Sequence, residues 1–190
     1  MKRFHLLLVI ACLCLSACGS APPVPVDRFY RLWPVSVQPQ SKTGWGALVV
    51  QPFHAESLYA ERPIVYSDAG SLRQLRQYHY HLWLYPPAQL VREHLATSLG
   101  AQLDLPGDQG PADFLEGRVL RFERVVSGRS AKAVVALELR LIRNGKPVVR
   151  GIYQAEQAVS EDSMDSFAVA MEQALGKIYA EFMAEEVRVR

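Results

Sequence analysis

Asn144-Gly145 separates two long runs of strand-forming residues, Ala131 to Arg143 and Pro147 to Val159. A two-residue hairpin turn needs positive φ at both central positions, which Asn and Gly tolerate best, so the pair predicts a tight antiparallel hairpin. In the first of these strands Val135, Leu137, Leu139 and Leu141 alternate with Ala136, Glu138, Arg140 and Ile142. The alternation gives one apolar face and one largely polar face, so the hairpin must bury one side and wet the other. Phe114 to Val126 forms a third long strand just upstream. Gly145-Lys146 is part of the turn and not a phosphate loop, because no glycine-rich run precedes it and Pro147 follows it.

A long helix is expected from Ser163 to Glu186, with Phe167, Met171, Ala174, Leu175, Ile178 and Phe182 as its core stripe. Glu172, Lys177, Glu181 and Glu185 make its wet side. An earlier block repeats the plan with shorter pieces: strands at Arg28 to Trp33, Ala47 to Phe53, Ile64 to Ser67 and Leu75 to Leu84. In the last of these, Tyr78, Tyr80, Leu82 and Leu84 are expected on one face, with His79, His81, Trp83 and Tyr85 on the other. Pro86-Pro87 then starts a helix whose apolar stripe is Leu90, Val91, Leu95 and Leu99, stopped by Gly100. Residues 101–112 form the loop between the blocks. The order βββ(β)α–βββα predicts an α+β fold: two helices packed on one face of a largely antiparallel or mixed sheet.

The N-terminus is of another kind. Lys2 and Arg3 precede an apolar run from Phe4 to Leu15, and Leu15-Ser16-Ala17-Cys18 follows. The run is too short to span a bilayer, which takes roughly 20 apolar residues. Its layout is that of a secretory signal, and Leu-Ser-Ala-Cys matches the bacterial lipobox. Residues 1–17 are therefore expected to be a removed lipoprotein signal peptide, with Cys18 carrying a diacylglycerol and an N-linked acyl chain such as palmitate. Stable anchoring takes at least two chains, which such a Cys18 has. Gly19, with no Asp after the cysteine, favours the outer membrane. Residues 18–27 form the lipidated cysteine and its proline-rich tether, and residues 28–190 a single periplasmic domain.

Removal of the signal leaves 173 residues and turns 21 basic against 19 acidic residues into 19 against 19. No basic field remains to attract nucleic acid. Cys12 and Cys14 leave with the signal and Cys18 is acylated, so the mature domain has no free thiol for disulfides, catalysis or metal binding. His79 and His81 could offer two zinc ligands, with His94 and Glu93 the nearest further candidates, but two visible ligands do not make a site. No nucleophile elbow is present. Asp104, Asp108, Glu116 and Glu123 read as solvated carboxylates without an acid–base partner. No catalytic residue, metal or further cofactor is expected. The stretch from His54 to Gln77 mixes Leu58, Tyr59, Arg62, Tyr66, Arg73 and Arg76, residue types enriched in interface anchors. It can serve as a partner surface or as a loop over its own core.

Arg62-Pro63-Ile64-Val65-Tyr66, the run Tyr78-His79-Tyr80-His81-Leu82-Trp83-Leu84-Tyr85-Pro86-Pro87 and the helix Ala88 to Leu99 resemble the ABC-type transport auxiliary lipoprotein family, the PqiC-like proteins. The lipobox, the Phe29-Tyr30-Arg31-Leu32 segment and the closing helix agree with it. Tyr85 departs from the acidic residue that many members carry before the proline. The resemblance implies a lipoprotein on the periplasmic face of the outer membrane. It would work with an MCE-domain (MlaD-like) substrate-binding protein and an ABC permease and ATPase that move phospholipids or other hydrophobic molecules. The chain would be the docking component, with no ATP chemistry and its oligomeric state, including a homo-oligomer, left open. The alternative is an outer-membrane assembly or envelope-structure lipoprotein that binds a β-barrel or glycan.

Overall fold

A computed structural model describes residues 24–37, 47–103 and 112–189. The signal peptide, Cys18, the first part of the tether, Asp104 and Asp108 lie outside the described residues. The fold is α+β. Its strands are β1 (Arg28–Tyr30), β2 (Ala47–Val50), β3 (His54–Ala55), β4 (Pro63–Asp68), β5 (Ser71–Trp83), β6 (Ala112–Ser127), β7 (Ser130–Arg143) and β8 (Lys146–Ala158). Helix α1 (Pro87–Leu99) follows β5, helix α2 (Met164–Val189) follows β8, and a 3-10 turn spans Ser57–Ala60. The two predicted blocks merge into one mixed sheet of order β1-β5-β4-β6-β7-β8. Antiparallel pairings join the long strands β6–β7, β7–β8 and β4–β5, while β1 runs parallel to β5. The short strands β2, β3 and β4 each pair parallel with β6, at successive positions along it.

The local predictions that rest on turn chemistry hold. Asn144 and Gly145 have φ of 51° and 73°, the paired positive values of a tight hairpin. Pro87 opens α1, and Gly100 closes it in the left-handed conformation, with its N–H and that of Ala101 donating to carbonyls of the last turn. The predicted stripe of α2 is buried, as are Leu90, Val91 and Leu95 of α1. Both helices join Leu115, Leu137, Leu139 and Leu141 in one core, where Trp83 packs on Phe122 and Phe167.

Strict alternation fails in β5 and β6, and β8 carries one extra residue at Val148, between the Leu141–Val149 and Ile142–Pro147 pairs. β5 pairs with β4 through two register shifts, so extra residues are accommodated between Ser71 and Arg76 and between Gln77 and Leu82. Tyr78 and His81, expected on opposite faces, meet edge to face with ring centroids 5.6 Å apart. β6 carries one extra residue at Leu120, between the Val119–Leu137 and Arg121–Ala136 pairs. The inserted residue reverses the phase of the strand. Leu115 and Val119 face the helices before it and Phe122 after it, while Glu123 and its partner Val134 fall outside the helix-side core. Glu123 is nevertheless 1% exposed and not a solvated carboxylate, because Tyr59 and Arg121 donate to it.

Gly117 sits where no larger residue fits. A Cβ there would lie 2.3 Å from the Phe53 ring. Gly117→Ala should lower stability by about 1–3 kcal/mol through overpacking, with part of the loss recovered in Gly117→Ala/Phe53→Leu, both read from urea midpoints.

The stretch after β1 crosses the outside of both helices. The Trp33 N–H donates to Glu172 (2.7 Å), the Val35 N–H to Ser98 Oγ (3.1 Å), and the Trp33 carbonyl accepts from His94 Nε2 (2.9 Å). Because a carbonyl can only accept, Nε2 carries the proton and Nδ1 accepts from the Tyr179 hydroxyl at 3.0 Å. Glu172, predicted on the wet side of α2, is thus a half-buried anchor for a strap, and burial holds its carboxyl above the usual range.

Candidate docking surface on the open face of the sheet

The helices cover one face of the β6–β8 sheet, and the polar positions of those strands occupy the other. Register decides which charges meet. Glu116 lies opposite Arg140, Arg118 opposite Glu138, and Arg140 opposite Arg150. Arg140 donates to Glu116 through Nε at 2.8 Å. One oxygen of Glu138 accepts from Arg150 at 3.0 Å and the other lies 3.1 Å from Arg118. The Arg150 hydrogen bond, followed by the nearby charge of Arg118, holds the Glu138 carboxyl below its usual range. Arg118 also lies 3.6 Å from Glu56.

These side chains floor a depression of about 740 Å³, rimmed by Gln51, Pro52 and His54. Three arginines face two carboxylates there. The three arginine side chains remain 45–67% exposed. Exposed pairs of this kind contribute only about 0–1 kcal/mol each to stability, so the lattice is better suited to contact than to holding the fold. Charges arranged on a preformed sheet steer and orient a partner of complementary pattern.

The six residues singled out in the sequence fall in separate places. Leu58 and Tyr59 lie on the 3-10 turn, where Tyr59 borders a smaller depression of about 210 Å³ that shares Arg118 with the charged face. The Tyr59 hydroxyl donates to Glu123 (3.1 Å), and burial raises its pKa. Arg62 donates to the Trp83 carbonyl (3.1 Å), with its guanidinium 4.9 Å from the Phe29 ring centre. Tyr66 stacks on Tyr78 at 4.4 Å and pairs across strands with Arg76, both lining a third depression of about 380 Å³. Arg73 is exposed on β5. Only Tyr59 adjoins the charged face. The residues missed in the sequence are Glu116, Arg118, Glu138, Arg140 and Arg150. Their alternation was visible, but the register that joins them was not.

Among the described residues, no group of three or more His, Cys, Asp or Glu is placed to hold a metal ion. His81 is hydrogen-bonded to Tyr30, and both ring nitrogens of His94 are engaged in the strap. No described helix is long and apolar enough to cross a membrane.

Fold and surface together define an α+β domain with a single sheet, helices closing one face and a charged face left open. The family described as ABC-type transport auxiliary lipoprotein component matches residues 30–182. The chain belongs to that family. Two solved structures share the fold. One is protein XCC0632 from Xanthomonas campestris, with 18% identity over 86% of this chain and 96% of that one, TM-score 0.71. The other is a protein described only as uncharacterized, with 17% identity over 84% of this chain and 98% of that one, TM-score 0.62. No curated protein matches the chain.

Proposed function

We propose that the chain is a non-enzymatic docking component, lipid-anchored through Cys18 on the periplasmic face of the outer membrane. Its open charged face would receive an MCE-domain (MlaD-like) protein of an ABC-type system that carries phospholipids or other hydrophobic molecules. Family membership supports the transport setting. The observation that carries the docking role is the Glu116–Arg140 and Arg118–Glu138–Arg150 lattice, paired, exposed and set in a concavity. The domain residues 28–190 act as one body on a proline-rich tether.

Pull-down from detergent extracts tests the reading. The lipidated protein should capture the MCE-domain protein, and Arg140→Glu/Arg150→Glu should weaken capture by about tenfold or more. Its urea midpoint should move little, since exposed pairs add only about 0–1 kcal/mol each. Capture that ignores the double reversal overturns the assignment of this face. A β-barrel captured in place of an MCE-domain protein overturns the transport reading. Mass spectrometry should find the acyl chains on Cys18, and Cys18→Ala should move the folded protein from the membrane to the soluble fraction.

A further inference from the structure

Among the described residues, the exposed aromatic side chains lie on the β1–β5 edge of the sheet and on the segments that continue from it. Phe29, Trp33, Tyr80 and Tyr85 are 51%, 63%, 45% and 42% exposed, and they are the aromatics among the large exposed apolar residues of the described chain. The β1–β5 register pairs Arg28 with His81, next to Tyr80, and Tyr30 with Trp83, two residues before Tyr85. The Leu84 N–H donates to the Tyr30 carbonyl, which keeps the two segments together past the last pair. Val24 and Val26, 85% and 76% exposed, lead into the same border. Each of two rings carries a cation: Arg62 lies 4.9 Å from the centre of Phe29, and Arg31 5.5 Å from that of Trp33.

We propose that this border, from Phe29 to Trp33 with Tyr80 and Tyr85, rests in the headgroup layer of the membrane that holds the lipid anchor. The proposal rests on the anchoring read above. Six peptide steps separate Cys18 from Val24, a reach of at most about 22 Å when fully extended. An acylated Cys18 therefore tethers this border near the bilayer, whichever path the linker takes. Trp and Tyr concentrate at membrane interfaces because an apolar ring and a polar edge suit that layer, and Arg places its charge at phosphate depth. Singly exposed apolar residues are ordinary, but their concentration beside the anchor is not explained by solubility.

The geometry also orients the domain. β1 and β8 are opposite ends of the path β1-β5-β4-β6-β7-β8, five strand spacings or about 24 Å apart. With β1 at the membrane, the charged face on β6–β8 stands toward the periplasm.

The test uses the mature chain from Cys18, its thiol coupled to a maleimide lipid in zwitterionic phosphatidylcholine vesicles. Coupling makes the result independent of whether cells acylate the residue. Trp45→Phe leaves emission from Trp33 and from Trp83, which is 1% exposed. Lipid brominated near the top of its acyl chains should quench roughly half of the Trp33 emission, at low and high salt alike. Trp33→Phe should abolish that quenching. Absence of quenching in the anchored protein, or equal quenching without Trp33, overturns the proposal. Absence of acyl chains on the native Cys18 would instead overturn the anchoring.

Discussion

Replacing Arg143 by methionine is expected to destabilise the protein by about 3–5 kcal/mol, a large share of the ~5–15 kcal/mol that holds a domain of this size. Arg143 closes β7 and grips two carboxylates. It donates to Asp113 of β6 at 3.0 and 2.9 Å and to Glu186 of α2 at 3.0 Å. Those hydrogen bonds hold its own pKa above the usual guanidinium value. Asp113 is 8% exposed and Glu186 1%. Methionine fills the volume but leaves the desolvated carboxylate of Asp113 without this cation and takes one partner from the buried Glu186. The cost comes from that uncompensated burial more than from the attraction lost. Arg143→Met combined with Asp113→Asn should recover part of the deficit, so the cycle of four urea midpoints will show coupling on the order of 1 kcal/mol or more. Additive losses would mean that the triad does not act as a unit.

Acid should loosen the strap across the helices. Burial lowers the pKa of His94 to about 4 against an ordinary 6.5, the carbonyl of Trp33 offsetting a little of that shift. The unfolded chain therefore takes up a proton near pH 6.5 that the folded chain refuses until about pH 4. Stability is full above the unfolded value and falls as pH descends between the two, by roughly 2–3 kcal/mol at the lower end. Glu138, held low by its arginines, works in the same direction, while Glu172, held high by burial, works against it. His94→Gln isolates the histidine: it should be less stable near neutrality, and its stability should change less between pH 6.5 and pH 4. Equal pH slopes for the two proteins would assign the acid loss to other groups.

What the sequence displayed was local. The Asn144-Gly145 turn, the alternation of β7, the Pro87 start and Gly100 stop of α1, and the stripe of α2 each depend on neighbours a few residues away. What it hid was long-range. Nothing in Ala47–Val50 or Pro63–Asp68 states that both run parallel to β6 on the same border. The irregular pairing of β5 undid the face assignment of Tyr78 and His81, since a register shift reassigns side chains without altering composition. The charged lattice shared that fate. Glu138 and Arg140 stood out as a polar face, but only the register with Glu116, Arg118 and Arg150 made them one surface. Glu172 was placed by helical period on the wet side, and the backbone of Trp33 then settled on it.

The supernumerary residue in β6 bears on how this gene can vary. Deleting Leu120 alone would restore one-to-one pairing with β7, leaving Phe122 opposite Val135 and Glu123 opposite Val134 on their present faces. What it would remove is the local bend and added twist of the bulge, between the positions where β3 and β4 pair with β6. Single-codon loss is therefore best absorbed at this point, whereas loss of any regularly paired residue of β6 would carry the side chains beyond it to the opposite face.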